Sequence, residues 1–166
     1  MIYYLQIRPL FENLNKGGKF FTDEPTYSVD EIMIPYFGRH SVKQFIYGKP
    51  VRYGYKVWSL CISSGAGVTF EPYCGAHTRI ENKGLGQGPN VVLDLIRKSG
   101  ITRGSEVFMD NLFTSFPLLK EMSKLEIGAT GTMRQNRLNN IPIITKKDME
   151  KKMFREEKAS LSIQMT

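Results

Sequence analysis

The order of strand-like and helical segments constrains the fold of this chain more than any other feature. Residues 27–35 predict a strand, with Asp30, Ile32 and Ile34 on one face and Val29, Glu31 and Met33 on the other. Two further strand-like runs, 53–64 and 68–74, flank the tight turn Gly65-Ala66-Gly67 and predict a β-hairpin. Later segments predict, in chain order, a helix that begins at Pro89 and ends at Gly100, a strand over 106–109, a helix capped by Thr114 or Ser115, and a strand over 127–132.

Strand, hairpin, helix, strand, helix and strand in this order predict an α/β protein with a mixed sheet flanked by helices. An antiparallel start of three strands with parallel additions is the order of a ribonuclease H-like core, in which the first and fourth predicted strands are neighbours. Before this core, a helix over residues 1–15 is expected to be interrupted by Pro9. We accordingly expect a lead-in segment at 1–27, a partial core at 28–134 that stops after its fifth strand, and a basic mixed-charge tail at 135–166 that is helical or disordered.

Composition narrows the classes of partner. The 166 residues carry a formal net charge of +7 and a pI near 9.4, which favours a polyanion such as DNA. Cys61 and Cys74 supply neither a disulfide framework nor a zinc site, and His40 and His77 lack metal-ligand spacing. No stretch approaches the roughly 18 apolar residues of a membrane span, and no cleavable signal pattern starts the chain. We expect an intracellular, soluble protein without zinc or a membrane partner.

Two aspartates occupy positions where a strand usually carries apolar side chains. Asp30 lies within the first predicted strand, and Asp110 ends the apolar run Val107-Phe108-Met109. A carboxylate buried there is costly unless it is paired or holds a metal ion. Because the two strands are predicted neighbours, about 4.8 Å apart, both acids could share one Mg²⁺ or Mn²⁺ ion. Two simpler interpretations stay open, namely an ion pair between Asp30 and a neighbouring strand, and a turn and capping role for Asp110.

A basic and aromatic segment follows the first predicted strand. Residues 38–56 carry five cations and no acid, and four aromatic side chains are interleaved with the cations. The cations are Arg39, Lys43, Lys49, Arg52 and Lys56, and the aromatic residues are Phe45, Tyr47, Tyr53 and Tyr55. Such mixing suits a surface that contacts DNA phosphates and stacks on bases. The alternative is a basic loop and strand with ordinary aromatic packing.

Four ordered motifs resemble those of the piggyBac transposases and their domesticated derivatives. They are Ser28-Val29-Asp30-Glu31, the stretch from Gly48 to Lys56, Met109-Asp110-Asn111-Leu112-Phe113-Thr114-Ser115, and the stretch from Gly128 to Arg134. The resemblance covers about Arg8 to Lys152. It implies a DDE transposase core that cuts and joins DNA with divalent metal ions, and a nuclear location. Under this resemblance Asp30 and Asp110 match the first two catalytic, metal-binding aspartates, and Lys49 and Lys56 lie in the family's basic strand-entry segment.

The chain departs from that family at the third catalytic aspartate. Nothing like the segment that carries it follows Arg134, and the acids Asp148, Glu150, Glu156 and Glu157 match no motif. The leading prediction is a piggyBac-derived, DNA-binding protein whose truncated core binds Mg²⁺ or Mn²⁺ weakly and is inactive on its own. Two alternatives stay open: a metal-dependent transposase or nuclease completed by another chain or region, and a protein-interaction fragment without a nucleic-acid role. Truncation also predicts an exposed apolar sheet face, which a second copy or a partner protein would cover.

Overall fold

Among the residues that the structure describes, six strands form one mixed sheet. The structure is a computed structural model that describes residues 2–134, 137 and 148–151, with the burial of side chains from residue 7 onward. The strands are β1 (Thr26–Pro35), β2 (Gln44–Phe45), β3 (Tyr53–Ile62), β4 (Gly67–Pro72), β5 (Glu106–Met109) and β6 (Gly128–Gly131). Apart from residue 137 and residues 148–151, the predicted tail at 135–166 lies outside the described residues.

The strand order confirms the predicted topology. It runs β2-β3-β1-β5-β6, and β4 pairs with β3 as well. β1 is antiparallel to β3 and parallel to β5, and β5 is parallel to β6. The first and fourth predicted strands, β1 and β5, are therefore neighbours, as in a ribonuclease H-like core. β2 was not predicted, because a strand of two residues is too short to show a period.

The helices differ from the predicted segments at their ends. They are α1 (Ile2–Gly18), α2 (Gln87–Ser99) and α3 (Phe116–Lys124). α2 begins two residues before Pro89, which then falls in the first helical turn, where a backbone N–H has no intrahelical acceptor to lose. Gly100 ends α2 with a left-handed φ of 74°, and the Ser115 side chain caps α3, both as predicted. None of the described helices combines the length and the hydrophobicity that a bilayer-spanning segment requires.

Helix α1 runs through Pro9 without a break, so the predicted interruption is wrong. Contacts with β4 hold the helix on both sides of the proline. Arg8 forms an ion pair with Glu71, with 3.2 Å between Nη1 and Oε1. The Asn15 side chain donates to the Phe70 carbonyl at 3.0 Å and accepts from the Phe70 N–H at 2.8 Å. Asn15 thereby satisfies backbone groups on the side of β4 that faces away from β3.

The core lies between one face of the sheet and the helices α2 and α3. It includes Val29, Leu60, Val91, Leu95, Val107, Leu118 and Met122, all at most 2% exposed. Alternation along β1 puts Val29 and Glu31 on this face and leaves Asp30 and Ile32 exposed on the other. The expectation that Asp30 is buried is therefore wrong, and Glu31 is the buried acid of this strand.

Candidate metal and DNA-binding site

Asp30 and Asp110 each follow a residue that pairs with the other strand. Val29 of β1 and Met109 of β5 are partners in parallel register, and both side chains are buried in the core. One residue further along each chain segment, Asp30 and Asp110 are both exposed. Because neighbouring strands lie about 4.8 Å apart, this register puts the backbone of the two predicted acids at adjacent positions where β5 ends beside β1.

The loop after β5 fixes Asp110 through local hydrogen bonds. Its carboxylate Oδ1 accepts from the Leu112 N–H at 2.8 Å, which confirms the predicted turn role. Its carbonyl oxygen accepts from Thr114 Oγ1 at 2.7 Å and from the Thr114 N–H at 3.1 Å. Since Thr114 and the preceding Phe113 are buried, this loop is anchored in the core before α3 begins.

A lysine cation lies against Asp30. Oδ2 of Asp30 is 3.6 Å from the Lys49 Nζ, while Oδ1 accepts from the Glu31 N–H at 2.7 Å. The same Nζ lies 3.4 Å from Glu31 Oε1 and donates to the Glu31 carbonyl at 3.3 Å. Burial, and next the Asp30 charge, raise the pKa of Glu31, while Lys49 opposes that rise. The predicted ion pair of Asp30 exists, but its partner comes from the loop between β2 and β3.

The oxygen donors of Asp30 and Asp110 match a divalent cation only in part. Mg²⁺ is often bound by one or two carboxylates with several waters, and two exposed aspartates on adjacent strands supply that set. One oxygen of each aspartate already accepts a backbone N–H bond, which leaves the other for a cation. In the described part of the chain, no group of three or more His, Cys, Asp or Glu side chains could hold a metal. These residues therefore suit one weakly held ion better than a pair of ions.

Five residues between Lys43, which precedes β2, and the first residue of β3 form a largely exposed patch, which we call the aromatic-basic surface: Lys43, Phe45, Tyr47, Arg52 and Tyr53. Lys43 Nζ lies 5.4 Å from the centre of the Tyr53 ring, and the Arg52 guanidinium lies 5.9 Å from that of Tyr47. The Phe45 and Tyr53 rings are 4.7 Å apart. Tyr47 is 85% exposed, Phe45 54% and Tyr53 51%. Packing within the chain therefore leaves much of these rings accessible, and Arg39 is exposed as well.

Lys56 lies apart from this surface. Its side chain is on the helix-covered side of the sheet with Glu31 and Trp58, and its Nζ lies 4.8 Å from the Trp58 ring centre and 4.5 Å from that of Tyr73. Burial lowers the pKa of Lys56, and the Glu31 charge opposes that fall. A cavity of about 660 Å³ lies here, lined by Glu31, Lys56, Trp58 and the first turn of α2. The structure thus separates Lys56 from the aromatic-basic surface, whereas Lys49 and Lys56 both lie near Glu31.

Two arginines that the sequence left without a role hold the Asp110 loop. Arg137 Nη1 donates to the carbonyls of Asn111 at 2.9 Å and Thr114 at 3.2 Å, and Arg134 Nε donates to Asn111 Oδ1 at 3.2 Å. Residues that follow β6 lie beside the loop after β5, because the two strands are parallel neighbours. The predicted neighbouring strands, together with Arg134 at the end of the fourth motif, were the features of the sequence that could have indicated these contacts.

A mixed sheet of this order, with one acid within β1 and one directly after the adjacent parallel strand β5, is the arrangement of the class of ribonuclease H-like DDE transposase cores. Residues 3–164 match the family model described as Transposase IS4. The chain is 37% identical to the human PiggyBac transposable element-derived protein 3 over 154 residues, which is 90% of this chain and 26% of that protein. It is 34% identical to the human PiggyBac transposable element-derived protein 2 over 152 residues, 89% of this chain and 26% of that protein.

A solved structure shares the fold. The cryo-EM structure of a piggyBac transposase synaptic complex with hairpin DNA matches with a TM-score of 0.63 and 28% identity, over 73% of this chain and 25% of that one. The chain belongs to the piggyBac-type transposase family. It spans about a quarter of the length of the relatives it matches.

Proposed function

We propose that this chain is a nuclear DNA-binding protein that contacts DNA through the aromatic-basic surface, Arg39 and Lys49, and that it does not cleave DNA on its own. The observation that carries this proposal is the exposed, purely cationic and aromatic character of the segment beside Asp30. From Ile32 to Lys56 the sequence contains no acid. A phosphate backbone that follows the exposed part of this segment meets cations and no acid of the segment.

The aromatic rings extend this interaction from phosphates to bases. Tyr47, Phe45 and Tyr53 each present half or more of their surface to solvent. An exposed ring next to a cation is suited to stacking on a base while the cation pairs with a phosphate. The interleaved order predicted a DNA contact surface, and the pairing of Lys43 with Tyr53 and of Arg52 with Tyr47 supports it.

The proposal that the isolated chain does not cleave DNA rests on the number of metal ligands among the described residues. Asp30 and Asp110 would hold one Mg²⁺ or Mn²⁺ ion, which when bound would polarise a phosphoryl oxygen or activate a water. Cleavage by two ions about 3.5–4 Å apart needs further oxygen ligands, and the described residues supply only these two exposed acids at the site. In this chain the two aspartates alone therefore fall short of the ligand set that cleavage by two ions requires.

The salt dependence of DNA affinity tests the binding surface. For the wild-type chain and a labelled duplex, we expect the logarithm of the affinity to fall linearly with the logarithm of salt between about 50 and 200 mM. Replacing Lys43 and Arg52 together by Gln should weaken binding and reduce the slope by about 1 for each lost phosphate contact. Lys124→Gln is the matched control, because Lys124 is an exposed lysine that pairs with Glu121 on α3. The same salt slope in the wild type, the double variant and Lys124→Gln would refute the proposal that DNA binds to the aromatic-basic surface.

A nicking assay separates this proposal from its enzymatic alternative. We expect no conversion of supercoiled plasmid by the chain with Mn²⁺. Nicking that requires Mn²⁺ and disappears in Asp30→Ala would show a metal-dependent nuclease instead. The observation that favours this second candidate is the position of two exposed acids directly after the partner residues Val29 and Met109.

A further inference from the structure

Lys49 occupies a position among oxygen atoms that a metal ion would also favour. Its Nζ lies 3.3 Å from the Glu31 carbonyl, 3.4 Å from Glu31 Oε1 and 3.6 Å from Asp30 Oδ2. Two carboxylates and a carbonyl are the type of ligand set that hard divalent cations prefer. The ammonium group of Lys49 thus neutralises the carboxylate that would bind a metal.

The contacts of Lys49 are long for a charged pair. Hydrogen bonds between an ammonium group and a carboxylate are usually about 2.7–2.9 Å long. Lys98, in the buried cluster between α2 and β4, meets this standard with 2.8 Å to Glu71 Oε2, an acid whose side chain is 3% exposed. Asp30 is instead 59% exposed, and Lys49 is 31% exposed. Solvent can therefore reach both members of the Lys49–Asp30 pair, whereas the acid of the Lys98 pair is buried.

We propose that Lys49 is a displaceable counter-ion that couples DNA binding to divalent-metal binding at Asp30. A DNA phosphate draws the ammonium group away from Asp30 and frees Oδ2 for the cation, so each ligand promotes the binding of the other. This inference rests on the proposed DNA contact and on Asp30 as a metal ligand. No other cation in the described residues forms an ion pair with Asp30.

Because DNA binding and metal binding would be thermodynamically linked, the coupling can be measured as an effect of DNA on Mn²⁺ affinity or of Mn²⁺ on DNA affinity. If DNA raises the affinity for Mn²⁺ by a given factor, Mn²⁺ must raise the affinity for DNA by the same factor. Because the pair is partly exposed, we expect a factor on the order of five, at the low end of typical coupling. In the absence of DNA, removing the Lys49 charge should raise the Mn²⁺ affinity by a similar factor, since the competing cation has gone.

The experiment measures Mn²⁺ binding with and without a duplex of about 20 base pairs, by electron paramagnetic resonance of the free ion. Binding of Mn²⁺ to the DNA itself is subtracted with the Asp30→Asn protein as the baseline. We expect about a fivefold gain on adding DNA to wild type, tighter binding without DNA in Lys49→Met, and no further gain there on adding DNA. Lys49→Arg keeps the charge and should retain the coupling.

Lys43→Met is the matched control, because Lys43 contacts the carbonyl oxygens of Phe37 and Gly38 and lies over Tyr53. It should lower DNA affinity and leave the coupling factor unchanged. A coupling that survives in Lys49→Met would show that a DNA phosphate ligates the metal directly, and it would overturn the counter-ion role. Equal Mn²⁺ affinity of wild type and Lys49→Met without DNA would also overturn it. This last comparison needs no DNA, so its result stays separate from the test of DNA binding.

Discussion

Asp110 and Asp30 each lie one residue beyond a paired position in adjacent strands, but different interactions hold them. Asp110 is placed by hydrogen bonds of its own loop to Leu112 and Thr114, and that loop is anchored in the core. Asp30 is placed by its strand and accepts the Glu31 N–H at 2.7 Å, and the only cation among the described residues that pairs with it is Lys49, at 3.6 Å. Local hydrogen bonds thus fix the position of Asp110. The environment of Asp30 depends instead on an ion pair with Lys49, which salt screens and a competing charge can break.

The difference implies a division of roles within one site. A rigid ligand sets the position of a cation, since its carboxylate needs no rearrangement when the ion binds. A ligand that is already paired with a lysine determines how often the metal site is occupied, since the metal ion must displace that lysine. Substitutions near Asp110 should therefore act mainly on stability, and substitutions near Asp30 mainly on charge-dependent binding.

The largest expected effect concerns Gly131 of β6. A Cβ atom there would lie 2.3 Å from Thr114 Oγ1 and 2.8 Å from the Met109 carbonyl oxygen. Gly131→Ala must push the Asp110 loop away from β6, and we expect a loss of about 1–3 kcal/mol in the free energy of unfolding. Chemical denaturation measures it. Gly128→Ala on the same strand is the control, since its Cβ would have 3.4 Å to the nearest atom. Equal stability of the two variants would show that the loop is not tightly packed.

The hydroxyl group of Thr114 gives the next largest effect. Thr114→Val keeps the shape of the side chain and removes the 2.7 Å bond to the Asp110 carbonyl, so unfolding should become easier by about 0.5–1.5 kcal/mol. Thr130→Val is the control, because that hydroxyl donates to Glu106 Oε1 at the surface and should matter by less than about 0.5 kcal/mol. A larger loss from Thr130→Val than from Thr114→Val would contradict the anchoring of the loop.

The topology and the site could be predicted from sequence to different extents. The strand periods, the glycine at the end of α2 and the cap of α3 are local signals, and they led to the adjacency of β1 and β5. The alternation in β1 separated two faces correctly, but it did not tell which face the helices cover. Both faces carry apolar residues, Val29 on one and Ile32 on the other, so Asp30 was wrongly expected to be buried.

The contacts around the two aspartates could not be predicted from the sequence, because they join residues that are far apart in the chain. Lys49 bonds to Glu31 across 18 positions, and Arg137 bonds to Asn111 across 26. No spacing rule relates such pairs, since the β1–β3 and β5–β6 pairings decide which loops meet. A glycine inside a strand often marks a close approach of backbone, but of Gly128 and Gly131 only Gly131 is in tight contact.

The smallest expected effect, a direct test of electrostatic control, is the coupling between Asp30 and Lys49. A double-mutant cycle with Asp30→Asn and Lys49→Met should give about 0.2–1 kcal/mol of coupling in the free energy of unfolding at low salt, because both side chains are partly exposed. At about 500 mM salt the coupling should shrink toward zero, as screening weakens an exposed pair. A second cycle with Asp110→Asn in place of Asp30→Asn is the control, since the asparagine oxygen can still accept from the Leu112 N–H. Coupling that persists at high salt would mean that Asp30 is held as rigidly as Asp110, and a DNA phosphate could then not displace Lys49.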